Sequence, residues 1–278
     1  MNLRGIEVKT TEQIQAMRKA GLVVAEALIA MGEAARPGVR TADLDTVART
    51  VLGDHGATSS FLNYGTDFGI PPYPATVCIS VDEEVVHGIP GDRRLAEGDI
   101  VSVDFGAILN GWHGDAARTF IVGGGTTPEA ADLVEITRKA MWDGIAAVAS
   151  AKRVGDVSAA IQASATHSGR RLGIVAEYTG HGIGSAMHQP PDVPNYGNPR
   201  RGPRLSTGMC LAIEPIFTLG SAGTVELDDE WTAVTDDGSW AAHWENTVAI
   251  TEDGLWVLTE PDGGRAELAA RGVTINEL

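Results

Sequence analysis

The sequence predicts an α+β fold in which two helix pairs are each followed by antiparallel strands. Three observations point there. Apolar residues recur at helical spacing between Thr11 and Gly56 and again between Thr127 and Ser168. Strand-like runs follow each helix pair in groups, so the βαβ alternation of a parallel sheet is absent. Asn110-Gly111 separates two of those runs, and this dipeptide is the strongest short-range hairpin signal. The repetition predicts pseudo-twofold halves, about residues 1–122 and 126–255, with a short C-terminal tail. No Ser/Pro-rich linker divides them, so the expectation is a single domain over 1–278 with its sheets joined.

In chain order, Thr10 or Thr11 with Glu12 and Gln13 marks a helix start. Ile14, Met17, Ala20, Gly21, Val24, Leu28 and Met31 carry the helical period as far as Arg36-Pro37-Gly38. A second helix runs from Thr41 through Leu44, Val47, Ala48 and Val51 to Gly53–Gly56. Ser59–Pro74 is irregular, broken by glycines and prolines, with Phe61, Tyr64, Phe68 and Tyr73 between them. Aromatics in such a segment fit a packed surface loop or a pocket rim. A strand over Thr76–Val81 follows, then Asp82-Glu83-Glu84 and Val85–Pro90.

Gly123-Gly124-Gly125 lacks the following Lys-Ser/Thr of a phosphate loop and reads as a turn. Thr127-Pro128-Glu129 opens a helix to about Ala149, and another runs from Val154 to Ser168 or beyond. Ile174 and Val175 lead into Tyr178–Gly197, whose GHGIG does not have the dinucleotide-binding spacing. Strands are expected over Met209–Leu219, Thr224–Leu227, Trp231–Thr235 and Glu245–Ile250, with turns at Asp236-Asp237-Gly238 and Glu252-Asp253-Gly254.

The central hairpin carries one aspartate on each strand. With Asn110-Gly111 as a two-residue loop, Asp104 faces Ala117 and Asp115 faces Gly106. Residues two apart on a strand share a face, so both carboxylates point the same way, with backbones about 7–8 Å apart. The flanking Val101, Val103, Phe105, Ala116, Phe120 and Ile121 make the hairpin internal. Buried carboxylates call for a metal, a shared proton or a structural partner, and the hairpin alone leaves these open.

Charge narrows the function classes. The chain has 37 acidic and 21 basic residues, a net charge of −16, and no basic cluster beyond Arg200-Arg201 and Arg204. Direct nucleic-acid binding is not expected from such a surface, whereas a cationic substrate such as a free amine would be attracted. Two cysteines, Cys78 and Cys210, make no disulfide framework and fit a reducing cytosol. The N-terminus has no apolar signal core and no stretch approaches membrane-spanning length. The expectation is a cytoplasmic protein without a membrane contact.

Further polar residues stand out against their surroundings. His181 sits among glycines, which let backbones approach closely and leave a side chain exposed in a cleft. Glu214 interrupts the apolar run CLAIEPIF, and in HWENTVAIT Glu245 and Thr247 alternate with Trp244, Asn246, Val248 and Ile250, so Glu245 has a definite face. His87 and His188 lie beside Gly88 and Gln189-Pro190-Pro191. Singly, each fits a hydrogen-bonded loop or strand-edge residue. Together, Asp104, Asp115, His181, Glu214 and Glu245 offer four carboxylates and one imidazole, a donor set suited to Mn, Fe, Co or Zn. Five ligands exceed one tetrahedral site, and bridging carboxylates fit two metals about 3.5–4 Å apart. No HExxH or paired-cysteine spacing supports another zinc motif.

The ordered motifs VCISVDEEVVHGIP, VSVDFGA, GWHGDAA, GHGIG, MHQPPDVPNYG, LAIEP and HWENTVAIT resemble those of the type I methionine aminopeptidases, metallopeptidases of the pita-bread (creatinase/aminopeptidase-like) fold. The resemblance runs from KTTEQIQAMRKAG to ENTVAIT. It implies two divalent ions, with Asp104 on the second metal, Asp115 and Glu245 bridging, and His181 and Glu214 on the first. It implies Glu214 as proton shuttle, and His87 and His188 beside the scissile peptide, His188 on the developing oxyanion. The free α-amine would bind next to the second metal, and Tyr73, Cys78, Met187 and Trp231 would form the methionine pocket. Substrates would be N-termini of nascent polypeptides with a small second residue, met in transient proximity to the ribosome. A monomer is the default.

Two departures qualify the resemblance. Family members commonly carry GYHGYP before the Val-Cys strand, whereas Asn63–Pro74 here is longer and lacks the histidine. Met187 stands where an aromatic residue is common. The nearest alternative is an Xaa-Pro peptidase of the same fold. Those chains usually carry an extra N-terminal domain, and the motifs here begin almost at residue 1. A metal-free binding module on this scaffold is the alternative of another class, and such a protein should lack some of the five ligands.

Overall fold

A computed structural model describes residues 5–66, 69–276 and 278. Helix α1 (Thr11–Ala34) starts on a reciprocal cap: the Gln13 amide donates to Thr10 Oγ1 at 3.3 Å, and the Thr10 amide donates to Gln13 Oε1 at 2.8 Å. Met17, Ala20, Val24, Leu28 and Met31 form its buried face. Helix α2 (Thr41–His55) ends at Gly56, whose positive φ closes the last turn.

Strands β1 (Thr58–Ser59), β2 (Cys78–Val81), β3 (Glu84–Val86), β4 (Ile100–Leu109) and β5 (Trp112–Ile121) follow. The β4–β5 hairpin turns at Asn110-Gly111, both at positive φ, and Leu109 pairs with Trp112. Asp104 pairs with Ala117 and Asp115 with Gly106, the register read from the sequence. β4 also pairs with β1 and β2, and α1 lies on the hairpin. The contact is close: a Cβ on Gly114 would come within 2.7 Å of the Gly21 amide nitrogen. Of the loop aromatics, Phe68 lies outside the described residues.

The second half repeats the plan. Helices α3 (Pro128–Val148), capped by Thr127, and α4 (Val154–Thr166) precede strands β6 (Gly173–Ile174), β7 (Gly180–Gly182), β8 (Gln189–Val193), β9 (Cys210–Ile213), β10 (Ile216–Thr218), β11 (Thr224–Glu226), β12 (Ala233–Thr235), β13 (Ala241–His243), β14 (Asn246–Thr251) and β15 (Gly254–Val257). A short helix, α5 (Arg265–Ala270), closes the chain. Strands β15-β14-β9-β7-β8 form a five-stranded sheet. Met141, Ile145 and Ile161 of α3 and α4 share one apolar core with Leu211, Ile213 and Val248 of that sheet. α4 stops at Thr166, short of Ser168.

The run expected as one strand over Met209–Leu219 is two strands in different sheets. Pro215 has no amide hydrogen to give a ladder, so β9 ends at Ile213 and β10 begins at Ile216. The partner strand breaks at the same level, between His243 and Asn246. The pairs Asn246–Ile213 and His243–Ile216 keep one register across the gap, which sets Glu214 opposite Glu245.

The halves meet at this break. The Glu245 amide donates to the Ala117 carbonyl at 3.0 Å, and the Ala117 amide donates back at 3.3 Å. Thr247 Oγ1 accepts from the Asp115 amide at 3.1 Å and donates to the Asp115 carbonyl at 2.7 Å. Strand β5 of the first half thus runs beside the interrupted strand of the second.

Candidate metal centre and substrate pocket

These pairings put four carboxylates on one surface. Asp104 on β4, Ala117 on β5, and Glu245 and Glu214 at the two facing strand breaks form a row, and directly paired residues share a face. Asp115 is two residues from Ala117 and shares that face as well. His181 joins from β7, where Gly182 pairs with Leu211 and so brings His181 beside Ala212. The flanking glycines permit this approach. A Cβ would lie 2.4 Å from the Ala212 carbonyl oxygen at Gly180 and 2.2 Å from the Pro190 carbonyl oxygen at Gly182. His181 is therefore buried in a strand rather than exposed as its glycine setting suggested; close strand packing takes up the glycines' freedom.

All five sequence-predicted ligands converge. Donor atoms of Asp115, His181 and Glu245 lie within 4.8 Å of one another. His181 Nδ1 donates to the Gly182 carbonyl at 3.0 Å, which turns Nε2 toward Glu214 Oε1, 3.6 Å away. Asp104, Asp115 and Glu245 each keep one buried carboxylate oxygen without a hydrogen-bond partner: Oδ1, Oδ1 and Oε1. Burial raises all four carboxyl pKa values, and repulsion from Asp115 adds to the rise at Asp104, Glu214 and Glu245. Burial pushes the His181 imidazole down to about 4, so its neutral form presents a lone pair. Orphaned carboxylate oxygens beside a neutral imidazole are a donor set that fits divalent cations.

A cavity of about 500 Å³ opens beside this cluster. One wall is apolar: Tyr73, Cys78 and Met187 are buried together with Phe61, and Trp231 packs against them. The four residues expected to hold a methionine side chain are thus neighbours. Tyr73 also serves the core, since its hydroxyl donates to the Val77 and Gly88 carbonyls at 3.1 and 2.9 Å. Burial and the nearby Asp104 push the Cys78 thiol well up, so it is a neutral soft contact.

His87 and His188 both line the cavity. His87 has φ of 61°, and its ring meets the rings of Tyr178 and Trp231 edge-on, with centroids 5.2 and 5.9 Å away. The His188 ring lies 4.3 Å from the His181 ring, and its Nδ1 is 2.6 Å from the Tyr64 hydroxyl. Tyr64 and His243, which were not among the predicted site residues, are also part of its lining. Tyr64 belongs to the long loop. His243 is buried, with Nε2 at 3.9 Å from Glu214 Oε2 and 3.8 Å from Glu245 Oε2. Burial foremost, with the Arg118 charge, lowers its imidazole to about 3, so it is neutral. Its signal was present in the sequence, two residues before Glu245 on the same strand face.

Residues 15–252 match metallopeptidase family M24. The chain belongs to that family. Among M24 relatives, the methionine aminopeptidase 1 of Mycobacterium tuberculosis is 50% identical over 265 residues, 92% of this chain and 97% of the relative. The methionine aminopeptidase of Aquifex aeolicus is 45% identical over 258 residues, 92% and 99% of the two chains. The crystal structure of the Thermotoga maritima methionine aminopeptidase superposes with a TM-score of 0.87 at 41% identity, covering 92% of this chain and 99% of that one. The prolidase of Pyrococcus furiosus, at 23% identity and a TM-score of 0.69, shares the fold alone, and this chain spans 65% of it. The M24 fold here is the pita-bread fold that the motifs implied.

Proposed function

We propose that this M24 protein hydrolyses the N-terminal methionine from nascent proteins and peptides with a small second residue, using two divalent ions. The observation that carries this reading is the junction of orphaned carboxylate oxygens and a neutral imidazole with an apolar cavity wall. Asp104 would serve one ion, His181 and Glu214 the other, and Asp115 and Glu245 both. Bound there, the ions supply charge that polarises a peptide carbonyl and acidifies water. Mn, Fe, Co and Zn all suit the donors.

The chain's own groups do the rest. Glu214 accepts the proton of the attacking water and delivers it to the leaving amine. The His188 Nε2–H donates to the developing oxyanion, and the Tyr64 hydroxyl at Nδ1 fixes that ring's orientation. His87, which also lines the cavity, holds the peptide beside the scissile bond. Tyr73, Cys78, Met187 and Trp231 take the methionine side chain through polarizable contacts and exclude water. The substrate's free α-amine would sit next to the second ion, the one Asp104 would serve.

The working setting we propose is the cytoplasm, as a monomer meeting nascent chains through brief encounters near the ribosome. No helix among the described residues is long and apolar enough to cross a membrane.

Purified protein given Met-Ala-Ser and Ala-Pro peptides should release methionine from the first and leave the second intact. Chelation should abolish the activity and added Mn or Co restore it. Asp115→Ala should lose metal binding and methionine release together. Full release by that variant would sink the mechanism, and cleavage of Ala-Pro alone would return the Xaa-Pro reading.

A further inference from the structure

We propose that His243 is a positioning residue. It presents its Nε2–H to the outer oxygens of Glu214 and Glu245 and so turns their inner oxygens toward the metals. This inference rests on the metal-centre reading above and deepens it.

The carboxylate atoms divide into two sets. Glu214 points Oε1 toward His181 Nε2 at 3.6 Å and Oε2 toward His243 Nε2 at 3.9 Å. Glu245 likewise points Oε2 toward His243 Nε2 at 3.8 Å, and its Oε1 is buried without a partner among the other ligands. The same imidazole nitrogen thus sits almost equally far from one oxygen of each glutamate. Two carboxylate oxygens would repel a ring lone pair and attract an N–H, so the favoured tautomer carries its hydrogen on Nε2. The present separations are beyond hydrogen-bond length, and a shift of about 1 Å brings either oxygen into range. Among the described residues His243 Nε2 has no hydrogen-bond partner, and the two glutamate oxygens are the acceptors placed before it.

The ring's base is fixed from the other half of the molecule. Thr119 Oγ1 on β5 donates to the His243 carbonyl at 2.8 Å and accepts from the His243 amide at 3.0 Å. Ser102 Oγ lies 2.9 Å from the same threonine oxygen and can donate to it. All three residues are buried, and His243 also pairs with Ile216 in the ladder. A backbone anchored this firmly places the ring beside both carboxylates, where its N–H can set their rotation. Partners of ligating groups commonly change metal affinity 10–100-fold when removed.

Direct ligation of a metal by this imidazole is the competing role, and substitution separates the two. His243→Gln keeps an amide N–H of similar reach and is a poor ligand for borderline ions. His243→Phe keeps a ring and loses the donor. Mn2+ and Co2+ titrated by calorimetry into metal-stripped protein should bind about 10–100-fold more weakly to His243→Phe, and within about threefold of wild type to His243→Gln. Wild-type affinity in His243→Phe overturns the proposal. An equal loss in both variants overturns it as well, in favour of ligation or packing. Where His243→Phe does not fold, 15N NMR of the wild-type ring decides: a hydrogen on Nε2 supports the proposal and one on Nδ1 defeats it. Asp115→Ala in the same titration keeps the two readings apart. Loss of binding there with unchanged His243 variants sinks this inference alone, whereas unchanged binding in Asp115→Ala sinks the metal centre itself.

Discussion

Glu214 has two proposed tasks that make opposite demands on one side chain. As a ligand it must stay ionised beside Asp115, and as proton shuttle it must accept and release a proton during each turnover. Burial and the Asp115 charge both raise its pKa, which favours the second task, while a bound cation favours the first. Glu214→Gln retains an oxygen donor and nearly the same volume but cannot carry the proton. Steady-state kinetics on a Met-Ala peptide should show kcat reduced by about 10²–10⁴-fold with KM changed only a few-fold. An unchanged kcat in the metal-loaded variant would move the proton shuttle to another residue. His243 shows what single-residue inspection of the sequence misses. Its neighbours Trp244 and Ala242 are apolar, and nothing local marks it; only its parity with Glu245 does.

At the level of elements, parity accounts for what the sequence revealed and for what it hid. Asp104 and Asp115 could be placed on one face because a two-residue turn fixes a hairpin's register locally. The rest of the row depends on β5 lying beside Glu245–Thr247, a pairing between residues far apart in sequence, with no turn to announce it. The Pro215 break was visible as a residue, but its consequence, two strands diverging into different sheets, needs the partner strand to break at the same level. The glycines around His181 are another such case. Gly182→Ala would set a methyl against the Pro190 carbonyl oxygen, so it should cost about 1–3 kcal/mol in denaturant titration. The β2–β3 turn supplies a pH-dependent test. Asp82 is buried there and accepts from the Ile100 amide at 3.0 Å; burial raises its pKa to about 6. Its folded pKa lies above the unfolded 3.8, so its stabilising contribution is complete below about pH 3.8 and is lost as pH rises through about 6. The loss is on the order of 3 kcal/mol from the two-unit rise. Asp82→Asn keeps the acceptor and tolerates the positive φ at this position. Relative to it, the wild-type melting temperature should fall between pH 4 and pH 7; parallel curves would show that Asp82 does not titrate in that window.

Across the whole molecule, the net charge of −16 acts on a substrate that carries a positive charge at its reacting end. The cavity concentrates that field: Glu177 and Asp192 line it together with Asp104, Asp115, Glu214 and Glu245. Two divalent ions would offset the four clustered carboxylates, leaving Glu177, Asp192 and the surrounding acidic surface to steer approaching peptides. Such steering acts on encounter, so it belongs to kcat/KM and not to kcat. It also weakens with salt, since the screening length shrinks from about 30 Å at 0.01 M to about 8 Å at 0.15 M ionic strength. For a Met-Ala peptide extended by lysines, kcat/KM should fall several-fold over that range while kcat holds. The same peptide extended by glutamates should show the opposite slope, because screening relieves its repulsion. A Glu177→Gln, Asp192→Asn double variant keeps the proposed ligands and should flatten both slopes. If lysine- and glutamate-extended peptides respond alike to salt, the charge of this protein serves solubility and plays no part in selecting its substrates.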